Sequence, residues 1–138
     1  MDTLKLKIIT PQRLVMDEEV TSVTVPSADG DITVLPKHTH LLTLLKDGII
    51  VMKNSSKEDY LAIGGGYLET NGKEANILVS RASKQDELDE EVIQKAMEQA
   101  KKNLAEVKDE KQRIEAGSIL RRSIIDMKLV KRRRSRTI

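Results

Sequence analysis

Residues 60–79 have the sequence YLAIGGGYLETNGKEANILV, in which short apolar runs alternate with turn residues, and this alternation decides the fold. The runs Tyr60–Ile63 and Ile77–Val79 are typical of short β-strands. Asn71-Gly72 lies between two runs and predicts a tight hairpin, because both residues tolerate a positive φ. Gly64-Gly65-Gly66 has neither the GxGxxG spacing nor the GK(S/T) ending of a phosphate-binding loop. The glycines therefore predict close backbone packing or a β-bulge.

The same pattern of short runs extends outward over residues 1–84. Leu4, Leu6 and Ile8 alternate with lysines, which is the period of a strand with one buried face. Pro26 and Pro36 lie at the ends of runs, where a missing N–H group is tolerated. Many short strands at spacings of about ten residues predict a β-sandwich or a barrel. Since the chain has no Phe and no Trp, we expect an aliphatic core.

Residues 85–138 have the pattern of helices. An apolar residue recurs at every fourth position from Leu88 to Ala100, which gives one apolar stripe. We predict a first helix over Glu87 to Glu115, with Gly117 as its left-handed C-cap and Ser118 as the N-cap of a second helix. The short link predicts an antiparallel helical hairpin. The chain is thus expected to form two domains, a sandwich over 1–84 and a hairpin over 85–138.

Charge is divided between the two arms of the predicted hairpin. Residues 85–115 carry 6 basic and 10 acidic groups, whereas residues 116–138 carry 8 basic groups and one acid. The run from Lys131 to Arg136 is either a solvated helix end or a segment that binds an acidic partner. If the partner is RNA, the protein would be an RNA-binding adaptor, which is an alternative function. Two aromatic residues, Tyr60 and Tyr67, give no stacking platform, and a net charge of +2 gives no global footprint for nucleic acid.

Composition and motifs argue against several classes of protein. The absence of cysteine from all 138 residues excludes disulfides, thiolate metal sites and a catalytic cysteine. The chain contains no apolar run of about 18 residues, so no transmembrane helix is predicted. The amino terminus likewise predicts no secretory signal peptide. His38-Thr39-His40 could supply two metal ligands, but a polar loop is favoured because no other histidine exists. No set of catalytic residues emerges, so a small enzyme of the sandwich class is the least favoured alternative.

Three stretches resemble the ε subunit of F-type ATP synthases. Residues 29–43, DGDITVLPKHTHLLT, are similar to the family pattern GELGI-x-PGHAPLLT. Residues 62–69, AIGGGYLE, are similar to LSGGILEV, and residues 82–90 resemble the junction that ends in a DLDEA-like helix start. The order of the stretches, the chain length and the layout of strands before helices also agree with this family.

The resemblance implies a flattened β-sandwich of ten strands followed by an antiparallel two-helix hairpin. It implies a non-catalytic rotor subunit that couples ion translocation to ATP synthesis, peripheral on the cytoplasmic face of the bacterial inner membrane. The implied partners are the γ subunit, the ring of membrane c subunits and, through the hairpin, the catalytic α and β subunits. Neither nucleic acid nor direct membrane insertion is expected. The implied ring contacts are Ser27, Asp29, Gly30, Asp31 and His38.

The resemblance further implies that the hairpin is a regulatory arm. In bacterial members it opens, inserts beside γ and blocks ATP hydrolysis, and its cations pass an acidic DELSEED-like segment of β. The ATP-binding members carry (I/L)DxxRA at the helix start, but here Val92 and Ile93 follow Leu88-Asp89 in place of Arg and Ala. We therefore predict no ATP binding to the hairpin and no other cofactor. The basic residues of the arm are Arg121, Arg122, Lys128, Lys131, Arg132, Arg133, Arg134 and Arg136.

Overall fold

The chain forms two compact units, of which the first ends at Ser83 and the second begins at Lys84. The structure is a computed structural model that describes residues 2–37, 40–55 and 57–136, with side chains as far as Arg132. The strands of the described chain are β1 (Leu4–Ile9), β2 (Leu14–Val20), β3 (Ser22–Ser27), β4 (Gly30–Val34), β5 (Leu41–Leu45), β6 (Gly48–Asn54), β7 (Lys57–Ile63), β8 (Gly66–Thr70), β9 (Glu74–Val79) and β10 (Ala82–Lys84).

The ten strands form a β-sandwich, as predicted. One set of neighbours runs β4-β3-β6-β7-β10, and the other runs β5-β8-β9-β1-β2. A single residue pair, Ser27 of β3 with Leu45 of β5, joins the two sets. β1 pairs antiparallel with β2 and parallel with β9. The parallel pair brings together strands from opposite ends of the first unit.

The sandwich core is aliphatic, which confirms the expectation from composition. Leu4, Leu6 and Ile8 of β1 are completely buried, in agreement with their alternation with lysines. They pack in one cluster with leucine, isoleucine and valine side chains from the other strands. Burial of each large aliphatic side chain contributes about 1.5–3 kcal/mol relative to exposure. This cluster is therefore the main source of stability in the first unit.

Two predictions for the 60–79 stretch, one turn and one close backbone approach, are confirmed. Asn71-Gly72 lies in the hairpin between β8 and β9, with Gly72 at φ 92°. The Asn71 side-chain Oδ1 accepts bonds from the N–H groups of Lys73 (3.0 Å) and Glu74 (2.9 Å), which closes the turn. At Gly66, a Cβ atom would lie 1.9 Å from the carbonyl oxygen of Leu78. The glycine thus permits a close backbone approach, and no phosphate-binding role is needed to explain it.

The second unit contains a short 3-10 turn, η1 (Gln85–Glu87), and two α-helices, α1 (Glu90–Glu106) and α2 (Glu110–Arg136). The side chain of Asp89 is the N-cap of α1, since it accepts bonds from the N–H groups of Glu91 and Val92. Gln85 Nε2 donates to the carbonyl of Leu129 at 3.2 Å. The helices pack against each other through a small cluster formed by Ile93, Met127 and Val130, with Leu88 and Met97 beside it.

The helical hairpin was predicted correctly, but the position of its bend was wrong. α1 ends at Glu106, so residues 107–109 form the link. Gly117 and Ser118 lie inside α2, and Gly117 does not have the positive φ of a left-handed C-cap. The turn forms earlier because Asp109 starts α2: its carboxylate accepts from the N–H of Gln112 at 3.3 Å. An Asp at a helix start competes well with a glycine farther along the sequence.

Candidate interaction surfaces

The turn between β3 and β4 contains most of the residues that were assigned to the membrane ring. Ser27 is only 1% exposed, and its hydroxyl donates to the carbonyl of Gly30 and accepts from the N–H of Asp29. Gly30 has φ 121°, which favours glycine. Asp29 and Asp31 are exposed on this turn. Ser27 and Gly30 therefore shape the turn, while the two carboxylates are its accessible charges.

The segment after β4 holds the remaining residue of that set. His38 lies outside the described residues. Lys37, at the position where the family pattern has glycine, has φ 67°, a conformation that is uncommon for residues other than glycine. The N–H of Lys37 donates to the carbonyl of Gly72 at 2.8 Å, and its ammonium group lies 3.1 Å from the Asp2 carboxylate. The backbone therefore keeps a glycine-like shape at a lysine.

An apolar row crosses the outward face of the second set of strands, and the sequence interpretation missed it. The register pairs Leu44 with Tyr67, Tyr67 with Leu78, and Leu78 with Ile9. Ile9 is in turn paired with Leu14, so the row spans all five strands of that set. Leu44 is 69% exposed and Leu14 is 55% exposed. We call these five residues the apolar row.

A shallow hollow of about 390 Å³ adjoins the apolar row. Ile9, Pro11, Tyr67 and Leu78 give it an apolar lining, and Gly65-Gly66 forms part of its floor. Leu42, two residues before Leu44 on β5, is a further exposed apolar side chain on this face. Contiguous exposed apolar surface of this kind marks a contact with another protein more often than a free surface.

A signal for the apolar row was present in the sequence. Residues 41–45 read LLTLL, in which apolar residues occupy both alternating faces of the strand. Such a run is typical of a strand that is covered on both sides. Ile8-Ile9 and Ile77-Leu78 show the same doubling. These runs predict strands, and the apolar residues on their second face indicate that this face is also covered.

The cations of the regulatory arm lie on α2. The side chains of Arg121, Arg122, Lys128, Lys131 and Arg132 are exposed, whereas Asp126 is only 7% exposed. The helix includes Arg133, Arg134 and Arg136, whose side chains are outside the described part of the structure. Since Asp126 is the one acid of residues 116–138, the exposed charge of the described segment 116–132 is entirely positive.

The start of α1 carries the positions that correspond to the ATP-binding pattern. The Asp89 carboxylate accepts the N–H groups of Glu91 (2.9 Å) and Val92 (3.2 Å), which occupies it as a helix cap. Val92 is 63% exposed, and it stands where the ATP-binding pattern has an arginine. Glu91 forms an ion pair with Lys95, four residues later on the helix, at 3.4 Å. This helix start therefore offers carboxylates and an apolar side chain to solvent.

Metal sites and membrane-spanning helices are two further features to consider in the described residues. Among them, no group of three His, Asp or Glu side chains is placed to hold a metal ion. None of the helices in the described ranges is both long and apolar enough to cross a membrane. The chain therefore presents a sandwich with an exposed apolar row and a helical hairpin with a cationic arm. These features define a protein that acts through its surfaces, as a component of an assembly.

Comparisons with known proteins identify the assembly. Residues 3–85 match the family described as "ATP synthase, Delta/Epsilon chain, beta-sandwich domain". The ATP synthase epsilon chain of Carboxydothermus hydrogenoformans is 38% identical over 104 residues, 75% of this chain and 78% of that one. The epsilon chain of Herpetosiphon aurantiacus is 34% identical over 134 residues, 96% of this chain and 98% of that one. This chain belongs to the family of ATP synthase epsilon chains.

A solved structure supports the same assignment. A chain in the Euglena gracilis mitochondrial ATP synthase structure, which contains OSCP, F1 and the c-ring, has a TM-score of 0.76 and 25% identity, covering 86% of this chain and 76% of that one. Membership in the family makes this chain a non-catalytic subunit of ATP synthase. The comparisons give no support to the alternative of an RNA-binding adaptor.

Proposed function

We propose that this chain is a rotor-stalk subunit that binds the γ subunit through the apolar row. The observation that carries the proposal is the exposure of Leu44 and Leu14 at the two ends of a row that is continuous across five strands. An outward face with this composition needs a protein partner, and the face is rigid because every residue of the row lies in a paired strand. Rigid apolar anchors favour tight binding because little side-chain entropy is lost.

The proposal also assigns the β3–β4 turn to the ring of c subunits. Asp29 and Asp31 are exposed there, and the buried hydroxyl of Ser27 holds the backbone that carries them. Exposed carboxylates suit the basic groups that the polar loops of the c subunits carry. Each exposed ion pair contributes only about 0–1 kcal/mol, so this contact orients the subunit more than it anchors it. The apolar row supplies the anchoring.

The third part of the proposal is that the arm on α2 inhibits ATP hydrolysis. The exposed charge of residues 116–132 is entirely positive, and the only acid in that segment, Asp126, is buried. Such a surface is attracted to acidic segments of the catalytic subunits, with a range of about 8 Å at physiological salt. The apolar cluster of the second unit, centred on Ile93, Met127 and Val130, is small. The free energy needed to separate the two helices of the hairpin is therefore low.

Binding to purified γ tests the main proposal. Leu44→Ser removes the most exposed member of the apolar row, and burial of a leucine is worth about 1.5–3 kcal/mol. We expect the dissociation constant to rise by about tenfold or more. Leu35→Ser is the matched control, because Leu35 is 52% exposed and directly follows β4, a strand of the other set. If the two variants bind γ equally well, the apolar row is not the γ interface.

A further inference from the structure

The exposed side of α2 carries a stripe made of two isoleucines and three cations. Ile114, Arg121, Ile124, Lys128 and Lys131 follow one another at spacings of seven, three, four and three residues, which places them on one face of the helix. All five are exposed. At 1.5 Å per residue the stripe is about 25 Å long. We call these five residues the cationic stripe.

The other side of the same helix is buried. Ala116, Ser123, Met127 and Val130 are each no more than 7% exposed. The isoleucines of the cationic stripe are therefore not part of the hairpin core: Ile114 is 65% exposed, and Ile124 is 39% exposed. Core packing explains the buried side but gives no reason for apolar residues between exposed cations.

We propose that the cationic stripe binds the surface of an anionic lipid bilayer. Cations attract acidic headgroups, and isoleucines between them gain from burial at the boundary between headgroups and acyl chains. Within residues 116–132, the part of α2 that bears the cations of the stripe, the one carboxylate, Asp126, is buried, whereas the exposed Glu110 and Glu115 lie at the Ile114 end of the helix. The interaction is adsorption along the helix and not insertion across the membrane.

A nucleic acid or an acidic protein is a poorer fit. The arm has no aromatic side chain to stack on a base, since the two tyrosines of the chain lie in β7 and β8. Phosphates and carboxylates would engage Arg121 and Lys128 but would leave Ile124 exposed to water. A bilayer surface satisfies both components of the stripe. The inference goes beyond the proposed function, and it stands whether or not the arm inhibits hydrolysis.

Co-sedimentation of the full chain with vesicles tests the proposal. We expect binding to vesicles of phosphatidylglycerol and phosphatidylcholine in equal parts, much weaker binding to pure phosphatidylcholine, and a steep loss of binding as salt is raised. Each cation near an acidic surface changes the partition onto vesicles by about fivefold, so Arg121→Gln with Lys128→Gln should lower binding by about twenty-five-fold. Lys46→Gln with Lys53→Gln is the matched control, because both lysines are exposed on the sandwich. An equal loss in the control pair would overturn the proposal.

A second pair of variants separates a bilayer from other anions. Ile124→Ser should weaken vesicle binding severalfold, whereas Val92→Ser, an exposed apolar residue on α1, should leave it unchanged. Equal binding by these two variants, with folding checked by circular dichroism, would contradict a bilayer as the recognised surface. The proposal also fails if single-stranded RNA or poly-glutamate binds the chain more tightly than the vesicles at the same charge concentration.

Discussion

Gly66 lies where the backbones of neighbouring strands approach closely, and its substitution by alanine gives a sharp test of the structure. The residue begins β8 and is paired with Val79 of β9 on one side and with Leu45 of β5 on the other. An added Cβ would lie 1.9 Å from the carbonyl oxygen of Leu78 and 2.7 Å from Cα of Val79. Both are backbone atoms, so no side-chain rotation relieves the clash. The strand pairing itself must shift.

The loss of stability expected for Gly66→Ala follows from this geometry. Overpacking costs typically about 1–3 kcal/mol, and more where the surroundings cannot adjust. Because β8 is held on both sides, we expect Gly66→Ala to lower the free energy of unfolding by about 3 kcal/mol, a large share of the roughly 5–15 kcal/mol available to a domain. Urea unfolding of the full chain, followed by circular dichroism, measures it. The midpoint should fall without a large change in the slope of the transition.

Gly65→Ala is the matched control in the same glycine run. A Cβ there would lie 3.3 Å from the carbonyl oxygen of Leu45 and 3.8 Å from Asp47 Oδ1, which small local shifts accommodate. We expect it to change stability by less than about 1 kcal/mol. Equal stability of the two alanine variants would refute the argument that close backbone approach dictates Gly66.

Three further outcomes are expected. Asp31→Ala should weaken the coupling of ion translocation to ATP synthesis in the assembled synthase without preventing assembly. A cysteine at position 31 should crosslink to a cysteine in the polar loop of a c subunit. If this crosslink fails while a γ-facing control pair crosslinks, the assignment of the turn to the ring is wrong. Deletion of residues 110–138, which removes the whole of α2, should raise ATP hydrolysis by the assembled head and leave ATP synthesis mostly intact. Unchanged hydrolysis at every ATP concentration would rule out inhibition by the arm. Calorimetry of the isolated chain should detect at most weak ATP binding, because Asp89 is engaged as a helix cap and position 92 is a valine; sub-millimolar affinity would contradict this.

The local elements of the fold could be predicted because the causes of their formation are local. The alternation in β1 specifies a strand with one buried face, and Asn71-Gly72 specifies a hairpin between β8 and β9. The every-fourth-residue stripe from Leu88 to Ala100 likewise specifies an amphipathic helix. The bend of the helical hairpin was misplaced because two helix-boundary signals competed. Asp109 and Gly117 both suit a boundary, and sequence alone did not rank them.

The surfaces depend on pairings between residues far apart in the chain. The parallel pairing of β1 with β9 places Ile9 beside Leu78, and only that pairing makes the apolar row continuous. Similarly, the sequence gives residues 116–138 a single acid, but the packing of α2 decides that Asp126 is buried while the cations around it are exposed. The sequence by itself therefore determined the strands, the two-part layout and the family of this chain, since periodicity, turn residues and motifs act over a few neighbours. The tertiary structure alone decided which side chains face outward together, because strand order and helix packing are set by the burial of the whole core.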